Sequence, residues 1–200
     1  MTRRPAVFLD RDGVLNRSFS EGTTPVPPRR REDFELLPGV VEACRAFADA
    51  GLALVVVTNQ PDLARGVLEP AELGAMHDAL RAALPIDDVV VCPHDSGDGC
   101  WCRKPRPGMI LDAARRLDLD LDRSVGVGDR WRDVDAAHRA GIHAVYVDWG
   151  LGEPLRDSPD ARFGSLLAAR DHVLQVCGTD LDEREAAHRD ETPPTLEIPE

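Results

Sequence analysis

Short apolar runs rich in valine and leucine recur at residues 6–9, 52–57, 88–91, 124–127 and 143–147, too brief for helices and too continuous for half-exposed strands. They predict strands covered on both faces, as in a parallel sheet. Between them the apolar positions open out to a helical period over residues 40–50, 70–84, 107–117 and 133–140, as Val40, Val41, Cys44, Phe47 and Ala48 illustrate. Pro38-Gly39 marks the start of the first helix and Gly51 its end. On the second, Leu73, Met76, His77 and Leu80 share one side and read as core and flank, without chemistry. Residues 163–176 form a further amphipathic segment, expected to pack on the sheet as a terminal helix. Strand and helix in alternation predict an α/β fold: a doubly wound, Rossmann-like parallel sheet with helices on both faces.

Other stretches lack a period. Residues 17–31, rich in Ser, Gly, Thr, Pro and Arg, read as a loop and, directly after the first strand, either as a rim for whatever lies at its end or as a mere mobile connector. After Gly178 the run of Asp, Glu, Pro and Thr cannot bury enough apolar surface to order itself. The expected organisation is one domain over residues 1–178 and a disordered acidic tail over 179–200.

The strand ends carry the candidate chemistry. In open α/β sheets ligands sit outside the carboxyl ends of the strands, and Val7-Phe8-Leu9-Asp10-Arg11-Asp12-Gly13 delivers two carboxylates there. Such a pair repels unless a cation sits between its members or one holds a proton. With Mg²⁺ bound, one aspartate could attack phosphorus while the other moves a proton; alternatively both merely cap the turn. The second strand ends in Thr58-Asn59-Gln60, suited to phosphate oxygens and sugar hydroxyls or to capping a helix. The fourth ends in Gly128-Asp129-Arg130, and Asp10, the carbonyl of Asp12 and Asp129 make a set of oxygens acceptable to Mg²⁺. Asp133 is read as support for that site or as a cap of the following helix.

Composition changes this picture in two places. Five cysteines are an odd number, and Cys92, Cys100 and Cys102 crowd beside His94. Three thiolates and an imidazole fill a tetrahedron, so the expected ion is a structural Zn²⁺ without an open position, bound in a reducing compartment. That loop would hold Arg103 and Lys104 rigidly, a fork and a point charge suited to a phosphorylated substrate. Cys44 and Cys177 read as inert core thiols. The net charge of −12 argues against a nucleic-acid surface. No signal peptide or membrane span is read, which makes a cytoplasmic protein, without nucleic-acid or membrane partners and monomeric, the expectation.

Phe8-Leu9-Asp10-Arg11-Asp12-Gly13-Val14-Leu15-Asn16 resembles the first motif of the haloacid dehalogenase (HAD) superfamily, and Val57-Thr58-Asn59-Gln60 its second. With Gly128-Asp129 and the loop Cys-x-His…Cys-x-Cys-Arg-Lys-Pro, they are similar to a subgroup of heptose-bisphosphate and histidinol-phosphate phosphatases; Arg106-Pro107-Gly108-Met109 is similar to the heptose branch. The resemblance implies a HAD-like fold without a large cap domain and a phosphatase working through an aspartyl-phosphate. It makes Asp10 the nucleophile and Asp12 the acid/base, with Mg²⁺ on Asp10, Asp12 and Asp129. Thr58 and Lys104 would stabilise the phosphoryl group, and Arg11, Asn59, Gln60, Arg103 and Arg130 would bind the rest of the substrate. A catalytically idle, zinc-stabilised binding protein is the reading from another class.

Overall fold

The computed structural model describes residues 3–21, 24–150 and 153–178. In chain order the strands are β1 (Arg4–Leu9), β2 (Phe19–Glu21), β3 (Thr24–Val26), β4 (Ala53–Asn59), β5 (Asp88–Cys92), β6 (Leu119–Gly128), β7 (His143–Val147) and β8 (Ala161–Phe163). The helices are α1 (Val40–Asp49), α2 (Pro70–Ala83), α3 (Gly108–Arg116), α4 (Trp131–Arg139) and α5 (Leu166–Val176). Six strands form one sheet in the order β5-β4-β1-β6-β7-β8, with each neighbouring pair parallel. β1 is flanked on one side by the strand that follows it in the sheet's first half and on the other by β6, so the order reverses beside it. That reversal opens a crevice outside the strand ends.

Alternation along each strand divides the core in two. Val7, Leu9, Leu54, Val56, Val125 and Val127 pack with α1, α2 and α5, whereas Ala6, Phe8, Ala53, Val55 and Val57 pack with α3 and α4. The two faces explain the uninterrupted apolar runs. Cys44 and Cys177 lie fully buried in the first cluster, and burial pushes both thiols up to about 12, which leaves them unreactive.

Three elements differ from the sequence reading. Residues 17–31 contain the antiparallel hairpin β2–β3, invisible to periodicity because each strand has only three residues. β6 begins at Leu119, ahead of the expected 124, because Arg4 and Pro5 pair with Leu119 and Asp120 before a bulge resets the register to Val7↔Val125. The Ser124 hydroxyl fills that bulge by accepting from the Ala6 N–H and donating to the Asp120 carbonyl. The expected helix 163–176 shortens to α5, capped by Ser165, and the residues before it become the edge strand β8. The expected tail beyond residue 178 lies outside the described residues.

Candidate active site

Leu9 and Val127 are register partners, so the residues that follow them leave the sheet side by side. Asp10 still donates its N–H to the Val127 carbonyl at 2.9 Å, and two residues beyond Val127 stands Asp129. Two glycines then let carboxylates close in. Gly13 has φ +91°, and a Cβ there would lie 2.2 Å from Asp129 Oδ2. One on Gly128 would lie 2.0 Å from Asp133 Cβ, so no side chain fits between β6 and the first turn of α4. The result is a trio, Asp10, Asp129 and Asp133, with oxygens within 4.8 Å of one another.

One ammonium faces this trio from within. Lys104 Nζ donates to Asp10 Oδ1 at 2.8 Å and to the Val57 carbonyl at 2.9 Å, and lies 2.5 Å from Asp133 Oδ1. Its backbone is gripped by the amide of Asn59, which accepts from the Lys104 N–H and donates to the Lys104 carbonyl. Burial alone would lower the lysine's pKa, but Asp10 and Asp133 overrule it and hold the ammonium charged. Burial raises the Asp10 carboxyl to about 6, Lys104 restraining a rise to which Asp133 and Asp12 add. Asp129 is pushed well above the ordinary carboxylate range, first by burial and then by Asp10 and Asp133.

Three carboxylates against one lysine and an arginine, Arg130, that Asp129 shares with Glu153 leave negative charge in excess, and among the described residues Asp129 Oδ1 is buried without a hydrogen-bond partner. A hard divalent cation answers both, since it takes oxygen ligands and removes the repulsion. Cation binding must then displace protons from Asp10 and Asp129. The affinity for Mg²⁺ is therefore expected to rise with pH through about 6, where Asp10 gives up its proton; calorimetric titrations spanning that range check this. In the metal-free protein these raised carboxyls favour the folded state when protonated. Stability is accordingly expected to decline as pH climbs from the unfolded carboxylate range near 4 towards 6.

Asp12 is held differently. Its Oδ1 accepts from Arg11 Nε at 3.1 Å, Arg11 Nη2 at 2.8 Å and Asn16 Nδ2 at 3.0 Å, and its Oδ2 from Arg11 Nη2 at 2.9 Å and Gln60 Nε2 at 2.7 Å. Arg11 and Gln60, expected on the substrate, are each 0% exposed and face inward, where both donate to Asp12. Thr58 stands beside them, 1% exposed, its hydroxyl accepting from Gln60 Nε2 at 2.9 Å, one layer behind the cavity wall. The Asp12 carboxylate, so occupied, stays outside the acidic trio, and Asp133, expected only as support or as a helix cap, stands within it. Asp133 does support the site: Oδ1 meets Lys104 and Oδ2 accepts from the Arg130 N–H at 3.0 Å.

These groups floor a cavity of about 560 Å³. Asp10, Asp12, Asn59, Arg103, Lys104, Asp129 and Arg130 line it, joined by Arg29, Arg65 and Arg132, to which the sequence reading assigned no role. The hairpin supplies Val26 and the loop after it Pro27 and Arg29, so residues 17–31 do form part of the rim. Arg29 and Arg65 both pair with Asp62, at 2.9 and 3.3 Å, and Arg65 reaches on to Asp95 at 2.7 Å. Arg130 lies 3.6 Å from both Asp129 and Glu153.

Asp95 belongs to the cysteine loop. Cys92, His94, Cys100 and Cys102 converge, with Cys102 Sγ 3.2 Å from Cys92, 3.5 Å from Cys100 and 3.3 Å from His94 Nδ1. Cys92 is 3.7 Å from Cys100 and 3.6 Å from His94 Nδ1. Bonds of about 2.3 Å from a tetrahedral metal to sulfur put ligands roughly 3.8 Å apart, so the four atoms fit around one ion. Arg103 Nη1 donates to the carbonyl of His94 at 2.9 Å, which ties the cavity wall to the cysteine loop.

Comparison with known proteins agrees with this geometry. A family profile described as HAD-hydrolase-like matches residues 101–169. D-glycero-β-D-manno-heptose-1,7-bisphosphate 7-phosphatase of Bordetella bronchiseptica is 41% identical over 151 residues, 73% of this chain and 82% of that protein. The D-glycero-D-manno-heptose-1,7-bisphosphate 7-phosphatase of Thermosynechococcus vestitus is 39% identical over 167 residues, 75% of this chain and 82% of its own length. The crystal structure of the D,D-heptose 1,7-bisphosphate phosphatase from B. bronchiseptica, complexed with magnesium and phosphate, superposes with a TM-score of 0.73 at 35% identity, over 86% of this chain and 98% of that one. With this extent of identity added to the acidic trio and its lysine, the chain belongs to the heptose-1,7-bisphosphate 7-phosphatase family of HAD-like phosphatases, phosphoric monoester hydrolases.

Proposed function

We propose that this enzyme removes the 7-phosphate of D-glycero-β-D-manno-heptose 1,7-bisphosphate through an aspartyl-phosphate on Asp10. The observation that carries the reading is a single cavity that joins Asp10, Asp129 and Lys104 to five arginines, Arg29, Arg65, Arg103, Arg130 and Arg132. A substrate with one phosphate at the reacting centre and a second elsewhere needs both sets of groups. Guanidinium forks suit the phosphate that is bound and not cleaved.

Asp10 is the nucleophile. Its Oδ1 is engaged by Lys104, which leaves Oδ2 to attack phosphorus as the bond to the sugar oxygen breaks. Asp12, aimed by Arg11, Asn16 and Gln60, gives a proton to the departing oxygen. It then takes one from the water that hydrolyses the acyl phosphate, returning Asp10 to its carboxylate. Lys104 meets charge on the equatorial oxygens, and Asp133 with Asn59 keeps its ammonium in place. A Mg²⁺ held by Asp10, Asp129 and the Asp12 carbonyl would neutralise the trio and let an anionic nucleophile approach an anionic substrate. The four ligands of the cysteine loop would hold structural Zn²⁺ and fix Arg103 through the His94 carbonyl.

Phosphate release in Mg²⁺ from both heptose-bisphosphate anomers and from histidinol phosphate tests this. The β anomer is expected to lead in kcat/KM, by at least about a hundredfold over histidinol phosphate, because a cavity that sets five arginines beside the reacting carboxylate and lysine favours a substrate with a second phosphate. Histidinol phosphate as the best substrate would contradict the assignment. An absence of hydrolysis across the panel would point to the zinc-stabilised binding protein.

A further inference from the structure

Arg11 presents five N–H donors from a side chain that is 0% exposed. Nε and Nη2 are answered by Asp12. Nη1 lies 3.2 Å from Nε2 of His77, which α2 carries on the buried face it shares with Leu73, Met76 and Leu80. A guanidinium cannot accept, so this contact is a hydrogen bond only if Nε2 keeps its lone pair, in a neutral ring protonated at Nδ1. Burial, followed by the charges of Arg11 and Arg81, holds His77 down at about 4, against weaker pulls from Asp12 and Asp78. The ring is thus neutral in the working range of pH and oriented to receive.

We infer that His77 is a positioning residue for phosphoryl transfer: by accepting from Arg11 Nη1 it fixes the guanidinium plane that aims the Asp12 carboxylate. The inference rests on the reading of Asp12 as acid/base given above. Without that acceptor, a buried guanidinium N–H is left unpaired, and the side chain gains by swinging towards another partner. Asp12 would keep Asn16 and Gln60 but lose the fork that holds both its oxygens.

A proton donor matters most when the leaving group is a poor one. In the Mg²⁺-loaded enzyme, His77→Phe is expected to lower kcat/KM for the heptose bisphosphate by about tenfold, part of the 10²–10⁴ that general acid–base catalysis supplies. The same variant should leave kcat/KM for p-nitrophenyl phosphate, whose phenolate departs unaided, within about twofold. His77→Gln, which returns an acceptor at similar reach, should restore the sugar-phosphate rate. Equal losses on both esters, no loss on either, or failure of the glutamine to rescue would overturn the inference. Asp12→Asn in the same pair of assays separates the underlying reading: if it too spares neither ester, the acid/base role of Asp12 is what fails. Should His77→Phe not fold, nitrogen NMR of the wild-type ring decides the matter, with the neutral Nδ1–H form expected from about pH 6 to 8 and the Nε2–H or charged form contradicting it.

Discussion

Replacing Asp10 by asparagine is expected to reduce turnover by about 10⁴-fold or more, the scale on which removal of a single nucleophile acts. The amide is nearly isosteric and lies at a floor where backbone and lysine contacts persist, so far-UV spectra and the metal content of the cysteine loop should not change. Stability should move the other way. Burial raises the Asp10 carboxyl from 3.8 to about 6, which means that its ionised form is a net cost in the metal-free fold at neutral pH. Thermal melts without Mg²⁺ are therefore expected to show Asp10→Asn more stable than wild type, by on the order of 1–3 kcal/mol. Activity and stability parting in this way is the signature of a group retained for chemistry; an active variant would remove Asp10 from the reaction.

The second large effect belongs to Cys102, whose sulfur lies within 3.5 Å of all three of its companions. Cys102→Ala should abolish tight metal binding by the loop and cost several kcal/mol, since a metal that organises a loop contributes its binding energy to folding. Two consequences separate in kinetics. Arg103 depends on the His94 carbonyl and should be lost as a substrate contact, which raises KM. Lys104 keeps Asn59, Asp10 and Asp133, so kcat should fall less than kcat/KM. Zinc analysis, melting and steady-state kinetics on the one variant check all three, and full loss of metal with unchanged kinetics would dissociate the loop from the cavity.

Much of this was legible in the chain, for identifiable reasons. A carboxylate directly after a buried parallel strand has few places to point, so Asp10 and Asp129 were predictable as neighbours, and the four soft donors around residue 92 admit few geometries besides a metal cage. The inward placement of Arg11 and Gln60, to Asp12, was not legible because sequence does not say on which side of a turn a long polar side chain lies. Arg29, Arg65 and Arg132 were given no role because they reach the cavity from the loop after a hairpin, a turn and a helix start, where no periodicity marks direction. β8 and the first half of β6 escaped for a related reason: three residues carry no period, and Asp120, Asp122 and Arg123 interrupt the apolar run of a strand held by backbone pairing.

In the reaction proposed above, phosphorus passes through Asp10. Acid quench of Asp12→Asn during turnover of p-nitrophenyl phosphate in Mg²⁺, followed by peptide mass spectrometry, is the sharpest check, because the phenolate departs without the acid while loss of the base should let the acyl phosphate accumulate. The predicted result is a phosphoryl group on the peptide containing Asp10 and absent from Asp10→Asn. Phosphate released with no labelled peptide at any time point, or a label on another residue, would contradict it.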